Sequence, residues 1–232
     1  MELVLSMRRG ESLLITAVVP LLLLVFFGSM PILPAGGGRP IDFLLPGILA
    51  LAVMSTSMVS LGIATAFERQ YGVLKRLGGS PLPRVGLLIA KMLALLEIQA
   101  GQVMLLGLVA WVLFGWRPSG QAVAALLVLL LGTLTFASIG LLMAGALRAE
   151  ATLAAANGLY LVFLLLGDMI FPLAQLPTWL AAAARVLPAA AFAGALRSAL
   201  QPSASIPIAS LAVLLAWGIA ALLAAARTFQ WE

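Results

Sequence analysis

The chain has 232 residues, of which 63% are hydrophobic and only 9% charged, with a net charge of +5. Soluble domains carry about 25% charged residues, so a water-facing fold of this size could not cover its surface. With no cysteine and no histidine, disulfides, thiolate chemistry, Cys/His metal sites and a Ser-His-Asp triad are excluded.

A membrane helix needs about 20 mostly apolar residues. Six stretches qualify: 12–30, 43–66, 85–114, 121–147, 152–171 and 206–226. The fold class predicted is an all-α membrane protein, one transmembrane domain with six spans. A secretory signal is the alternative reading of 12–30, since Arg8 and Arg9 precede its apolar core. No clear small-residue cleavage site follows. Pro31, Pro34 and Pro40 with Gly36, Gly37 and Gly38 break the chain after the first stretch, and Gly115, Pro118 and Gly120 after the third.

Orientation follows from the basic residues. With a cytoplasmic N-terminus, Arg8, Arg9, Arg69, Lys75, Arg76, Arg84, Lys91, Arg148 and Arg227 lie at the inner side, and Arg39, Arg117, Arg185 and Arg197 outside. Nine against four places both termini in the cytoplasm. Basic residues scattered between apolar runs read as topology signals, not as a nucleic-acid surface. Trp111, Trp116 and Trp179 suit an aromatic belt.

The segment 172–205 is apolar yet divided by Pro172, Pro177, Pro188 and Pro202. It predicts a broken pair of short helices before the last span, packed against the others as a partial lid on the outer side. An ordinary amphipathic surface loop is the alternative. Asp168, just ahead of it, can meet Arg185 or Arg197 and pin the segment; lining an exit is the alternative.

The third span carries Glu97 about midway, where a carboxylate costs on the order of 2.5–3.5 kcal/mol. It is expected to face the bundle interior or a partner. Gln99 and Gln102 follow, and Gly101 permits close helix approach. These residues line either a substrate path or a dimer seam; a hydrogen-bonded structural Glu is the alternative. Gly140 with Ala144, and Ala154 with Gly158, predict close packing. Asn157 predicts a helix-helix hydrogen bond. Ser55, Thr56, Ser57, Ser60 and Thr65 either moisten a path or bond their own helix backbone.

Two segments carry a resemblance. One runs Phe67-Glu68-Arg69-Gln70-Tyr71-Gly72-Val73-Leu74-Lys75-Arg76-Leu77, then Gly78-Gly79-Ser80-Pro81, ending at Ala90-Lys91. The other has Phe171-Pro172-Leu173, Leu176-Pro177-Thr178-Trp179-Leu180, Leu187-Pro188 and Ala195-Leu196-Arg197. Together with the span order they resemble the type-2 ABC exporter permeases, particularly the group of the daunorubicin exporter permease. Asp168 departs from the small or apolar residue of that pattern, and the stretch before the first span is shorter than in many members.

The resemblance implies a permease in the cytoplasmic membrane that moves an amphiphile (drug, lipid or glycan) outward. It implies a second permease copy or homologue, membrane lipid around it, and cytoplasmic ATPase subunits that hold the ATP and magnesium. This sequence has no Gly-x-x-x-x-Gly-Lys-Ser/Thr loop, since Leu77-Gly78-Gly79-Ser80 lacks the Lys. No cofactor is expected in this chain.

The loop 67–84 is then the ATPase-coupling element. A helix from Ala66 to Leu77 puts Glu68, Tyr71, Gly72 and Lys75 on one face and Arg69 with Arg76 on a basic edge. Gly78 and Gly79 would end it. Retention of the loop in the cytoplasm at anionic lipid is the alternative use of these charges. An ion-coupled carrier or channel is the alternative function. An intramembrane protease is excluded by the missing His and by the want of a second mid-span Asp beside Asp168.

Overall fold

The computed structural model describes residues 17–30, 39–72, 84–118, 120–201, 205 and 207–228. All regular structure among them is helical. Helix α1 is Ala17–Ser29. Helix α2, Pro40–Met54, runs through a π-helical turn, Ser55–Ser60, directly into α3, Leu61–Gln70. The three form one 31-residue rod, Pro40–Gln70. Then come α4 (Arg84–Phe114), α5 (Ala122–Ala146) and α6 (Ala149–Leu166). A 3₁₀ turn, Leu173–Gln175, leads to α7 (Thr178–Arg185), α8 (Pro188–Leu200) and α9 (Ile208–Thr228).

Among the described residues, five helices are long and apolar enough to cross a membrane: the rod, α4, α5, α6 and α9. Of the first predicted span, α1 is the described part, and residues 12–16 lie outside the described residues. The fifth ends at Leu166, five residues before the predicted 171, because Asp168 turns the chain at φ 54°. The predicted broken pair is present, with α7 and α8 meeting at 80°.

The rod is the core. Every residue from Leu44 to Met54 is buried, as expected of a helix that is apolar all round. The best windows of α4, α6 and α9 are only 22%, 22% and 17% buried. Their outward sides carry Leu93, Met104, Val112, Leu161, Leu165, Leu215 and Leu222. Such a surface suits acyl chains, not water.

Helix α8 is not a surface loop. Pro188 to Ala193 and Ala195, Leu196 and Ala199 are buried. Phe192 fills the space left by Gly132 and lies 5.7 Å from the Phe136 ring. Helix α7 is the exposed half of the pair, with Ala184 its only buried residue. Of the three tryptophans read as a belt, Trp111 and Trp179 are exposed, whereas Trp116 is buried in the core.

Close backbone approach is confirmed at one small-residue pair and corrected at the other. Gly140 packs on Met58 and Gly62. Gly158, in contrast, has open space beside it. The tightest approach is Gly47, where an added Cβ would sit 1.9 Å from the Met169 carbonyl oxygen. Gly47→Ala is therefore expected to destabilise by about 1–3 kcal/mol, while Gly158→Ala leaves the midpoint unchanged. Thermal unfolding in detergent micelles checks both.

Candidate functional site

The end of α3 joins three other helices. Glu68 forms an ion pair with Lys91 of α4, and Lys91 also donates to Thr65 Oγ1 at 3.3 Å. The Arg69 guanidinium donates to the carbonyls of Gly145 and Leu147, the latter at 2.6 Å. Those carbonyls close the C-terminal turn of α5, where no intrahelical donor remains and the helix dipole favours a cation. Gln70 Nε2 donates to Glu150 Oε1 of α6 at 3.0 Å. Three consecutive residues thus tie α3 to α4, α5 and α6.

The predicted helix to Leu77 is corrected. Helix α3 ends at Gln70, and Gly72 takes the left-handed conformation at φ 68°. Glycine adopts it without the Cβ penalty that stops other residues. The expected face is therefore helical only as far as Glu68, with Tyr71 and Gly72 in the turn that follows. Lys75 and Arg76 lie outside the described residues. Tyr71 is 66% exposed, and its ring stacks on Phe67 at 6.0 Å.

A second cluster lies at the π turn. Gln99 Nε2 donates to Ser57 Oγ at 2.8 Å and Thr56 Oγ1 at 3.2 Å, while its Oε1 accepts from Thr133 at 2.7 Å. All four side chains are buried. Thr56 and Ser57 also donate to backbone carbonyls of their own helix. The rod, α4 and α5 are thereby joined by a satisfied polar node in an apolar setting, as burial of amides and hydroxyls requires. Gln102, one turn along α4, is 1% exposed, yet among the described residues neither its Nε2 nor its Oε1 has a partner.

Glu97 does not belong to this node. It faces outward from the single chain, with Gly101 exposed on the same face. Of the two settings expected for it, the bundle interior or a partner, the described residues do not supply the first. The reason is helical period. Leu95, Gln99, Gln102, Leu106 and Ala110 form the buried stripe of α4, and Glu97 lies between its rows.

The third cluster closes the α6 end. Arg197 Nη1 meets Asp168 Oδ2 at 2.7 Å, and its Nη2 donates to the Asp168 carbonyl at 2.7 Å. Asp168 Oδ1 accepts from the Leu173 N–H at 2.8 Å. The guanidinium sits over the Phe43 ring, 4.0 Å from its centroid, a cation–π contact. One arginine thus links α8, α2 and the turn after α6. Arg185 is exposed and, among the described residues, has no ion-pair partner. Asn157 donates to Leu153 of its own helix, and no bond from it to another helix occurs among the described residues.

The profile of the ABC-2 type transporters matches residues 2–200. The chain belongs to that family. No curated protein matches it. An ABC-2 membrane domain is a transport subunit, and the long apolar helices mark an integral membrane protein.

Several contacts of this ABC-2 permease escaped sequence reasoning. Arg69 meets main-chain oxygens, which no residue type announces. Arg39 does the same at the other end of the rod, donating to the carbonyls of Phe114 and Gly115 where α4 ends. Each clamp has a measurable weight. Arg197→Met leaves the Asp168 carboxylate unpaired in a mostly buried site and is expected to lower stability by about 1–3 kcal/mol. Arg185→Met should stay within about 0.5 kcal/mol; chemical unfolding in micelles compares the two.

Proposed function

We infer that this ABC-2 permease works as one half of an exporter in the cytoplasmic membrane, driven by separate cytoplasmic ATPase subunits. The observation that carries the reading is the interlocked end of α3. A motor that pushes the segment after Gly72 meets a junction, through Glu68, Arg69 and Gln70, with α4, α5 and α6. Force applied there reaches three spans at once. The coupling role of Glu68 and Arg69 is thus transmission inside the permease. Tyr71, exposed beside them, is the contact offered to the ATPase, and Lys75 and Arg76 extend that contact in the adjoining sequence.

The second copy of the permease covers Glu97. A carboxylate facing lipid costs on the order of 2.5–3.5 kcal/mol near a helix centre. A protein seam or a wet path between two copies removes most of that cost. The α4–α5 side supports an amphiphilic cargo. A cavity of about 390 Å³ lies there, lined by Val53, Leu96, Val103, Leu126 and Leu130 with Gln99 and Thr133 at its polar edge. Asp168 and Arg197 hold the outer segment in place over the helices below.

Replacing Glu68 and Arg69 together by Ala is expected to lower ATP-dependent dye uptake into inside-out vesicles by about tenfold or more, with membrane insertion unchanged. Full transport in that variant would sink the coupling role. Failure of the permease to co-purify with any ATPase would sink the wider reading. For the seam, Gly101→Cys in this cysteine-free chain is expected to form a disulfide-linked dimer on mild oxidation in membranes. Gly107→Cys, off the Glu97 face, should remain monomeric on gels.

A further inference from the structure

The node at the π turn has one amide too many. Gln99 and Gln102 stand on the same buried stripe of α4, three residues apart. Gln99 bonds Thr56, Ser57 and Thr133; Gln102, among the described residues, bonds none. Burying an amide without a partner is costly, because the bonds it made to water are lost and none replaces them. A core selected only to stand still would place an apolar side chain there.

We propose that α4 has two registers against the rod, and that Gln102 is the side chain that replaces Gln99 in the hydroxyl clasp when α4 slides by one turn. Three residues of helix correspond to about 4.5 Å of travel, with a rotation of about 60° to bring the i+3 side chain into line. The helices run antiparallel. A slide of α4 toward its Lys91 end brings Gln102 to Thr56 and Ser57, and carries Gln99 to the level of Ser60, one turn along the rod.

Four further features fit such a slide. The clasp sits on a π turn, Ser55–Ser60, and π turns mark helices whose hydrogen-bond register departs from the regular one, often at working sites. Helix α4 is only lightly embedded, with 22% of its best window buried, and the cavity of about 390 Å³ lies between it and α5. Polar contacts add to its apolar packing toward both ends: Lys91 on Glu68 on one side, Arg39 on the Phe114 and Gly115 carbonyls on the other. Those can exchange for water as the ends move. The slide also shifts Glu97 and Lys91 toward the end of the span, where a charge costs less. One-turn ratchets of this kind are a known form of switching between packed elements.

The inference goes beyond the proposed export function, and its test needs neither ATPase nor cargo. The full chain has no cysteine, so double-cysteine variants in phosphatidylcholine vesicles report the register directly. Val53→Cys with Val103→Cys samples the register described here, since both residues line one cavity. Val53→Cys with Leu106→Cys samples the shifted one, because Leu106 follows Val103 by the same three residues. A short bifunctional thiol reagent is expected to link the first pair in most molecules and the second in a minority. Adding Gln99→Leu should raise the second yield by about tenfold, and adding Gln102→Leu should reduce it to background. Gln102→Leu alone should unfold at the same or a higher temperature, since an unpaired buried amide is gone. A second-pair yield indifferent to Gln102→Leu overturns the proposal, as does a second pair that never links. If the Gln99→Leu protein does not fold, the Gln102→Leu comparison decides alone.

Discussion

A helix that stops at the edge of a membrane leaves its last carbonyl oxygens without intrahelical donors. The structure answers this with arginines borrowed from the central rod. Arg39, at one end of Pro40–Gln70, donates to the last carbonyls of α4; Arg69, at the other end, donates to those of α5. A guanidinium suits the task because it offers several donors in a fixed plane and stays charged. Each also sits at the negative end of a helix dipole. The rod thus holds its neighbours at both ends by polar contacts and along its length by apolar burial.

Between those ends the rod is not uniform. From Leu44 to Val53 its side chains are apolar and buried on every side. The π turn then presents two hydroxyls to Gln99, and below it Gly62 and Gly140 bring two backbones together. Apolar packing of this kind is indifferent to small sliding, whereas a hydrogen-bonded node specifies one alignment. The alignment of α4, α5 and the rod therefore depends on a handful of polar atoms in the middle of an oily bundle. Asp168 and Arg197 play the same part for α8, with Phe43 as a third support.

The fold was largely legible because hydropathy alone decides what crosses a bilayer. The long runs of the second to sixth spans correspond to helices, and the four prolines from Pro172 to Pro202 announced the bent pair. What composition could not supply was depth of burial. Helix α8 is rich in alanine and looks like an interfacial segment, yet it is a core element, since small side chains let it pass close to its neighbours. The sites were legible in part. Asp168 and Arg197 were paired by charge and neighbourhood, while the choice of Arg197 over Arg185 depends on which side of the 80° bend each arginine occupies. For Glu97 the sequence gives depth but not azimuth, so the choice between bundle interior and partner requires knowing which stripe is buried. Arg69 was assigned to an outside partner, since its inside partners are main-chain atoms with no sequence signature. The end of α3 was set too late because Gly78 and Gly79 looked like the stop, whereas Gly72 already provides it.

The burial of α8 bears on how the protein is made. Its buried face lies against α2, α5, α6 and α9, so its site is bounded by elements from both halves of the chain. Synthesis delivers the early walls of that slot first, but the last wall emerges only after α8 itself. Until α9 is in place, an alanine-rich wedge has lipid on the side where a helix should be. The membrane core is thus completed from its C-terminal end, and a nascent chain halted before Ile208 would carry a bundle with its final wall missing.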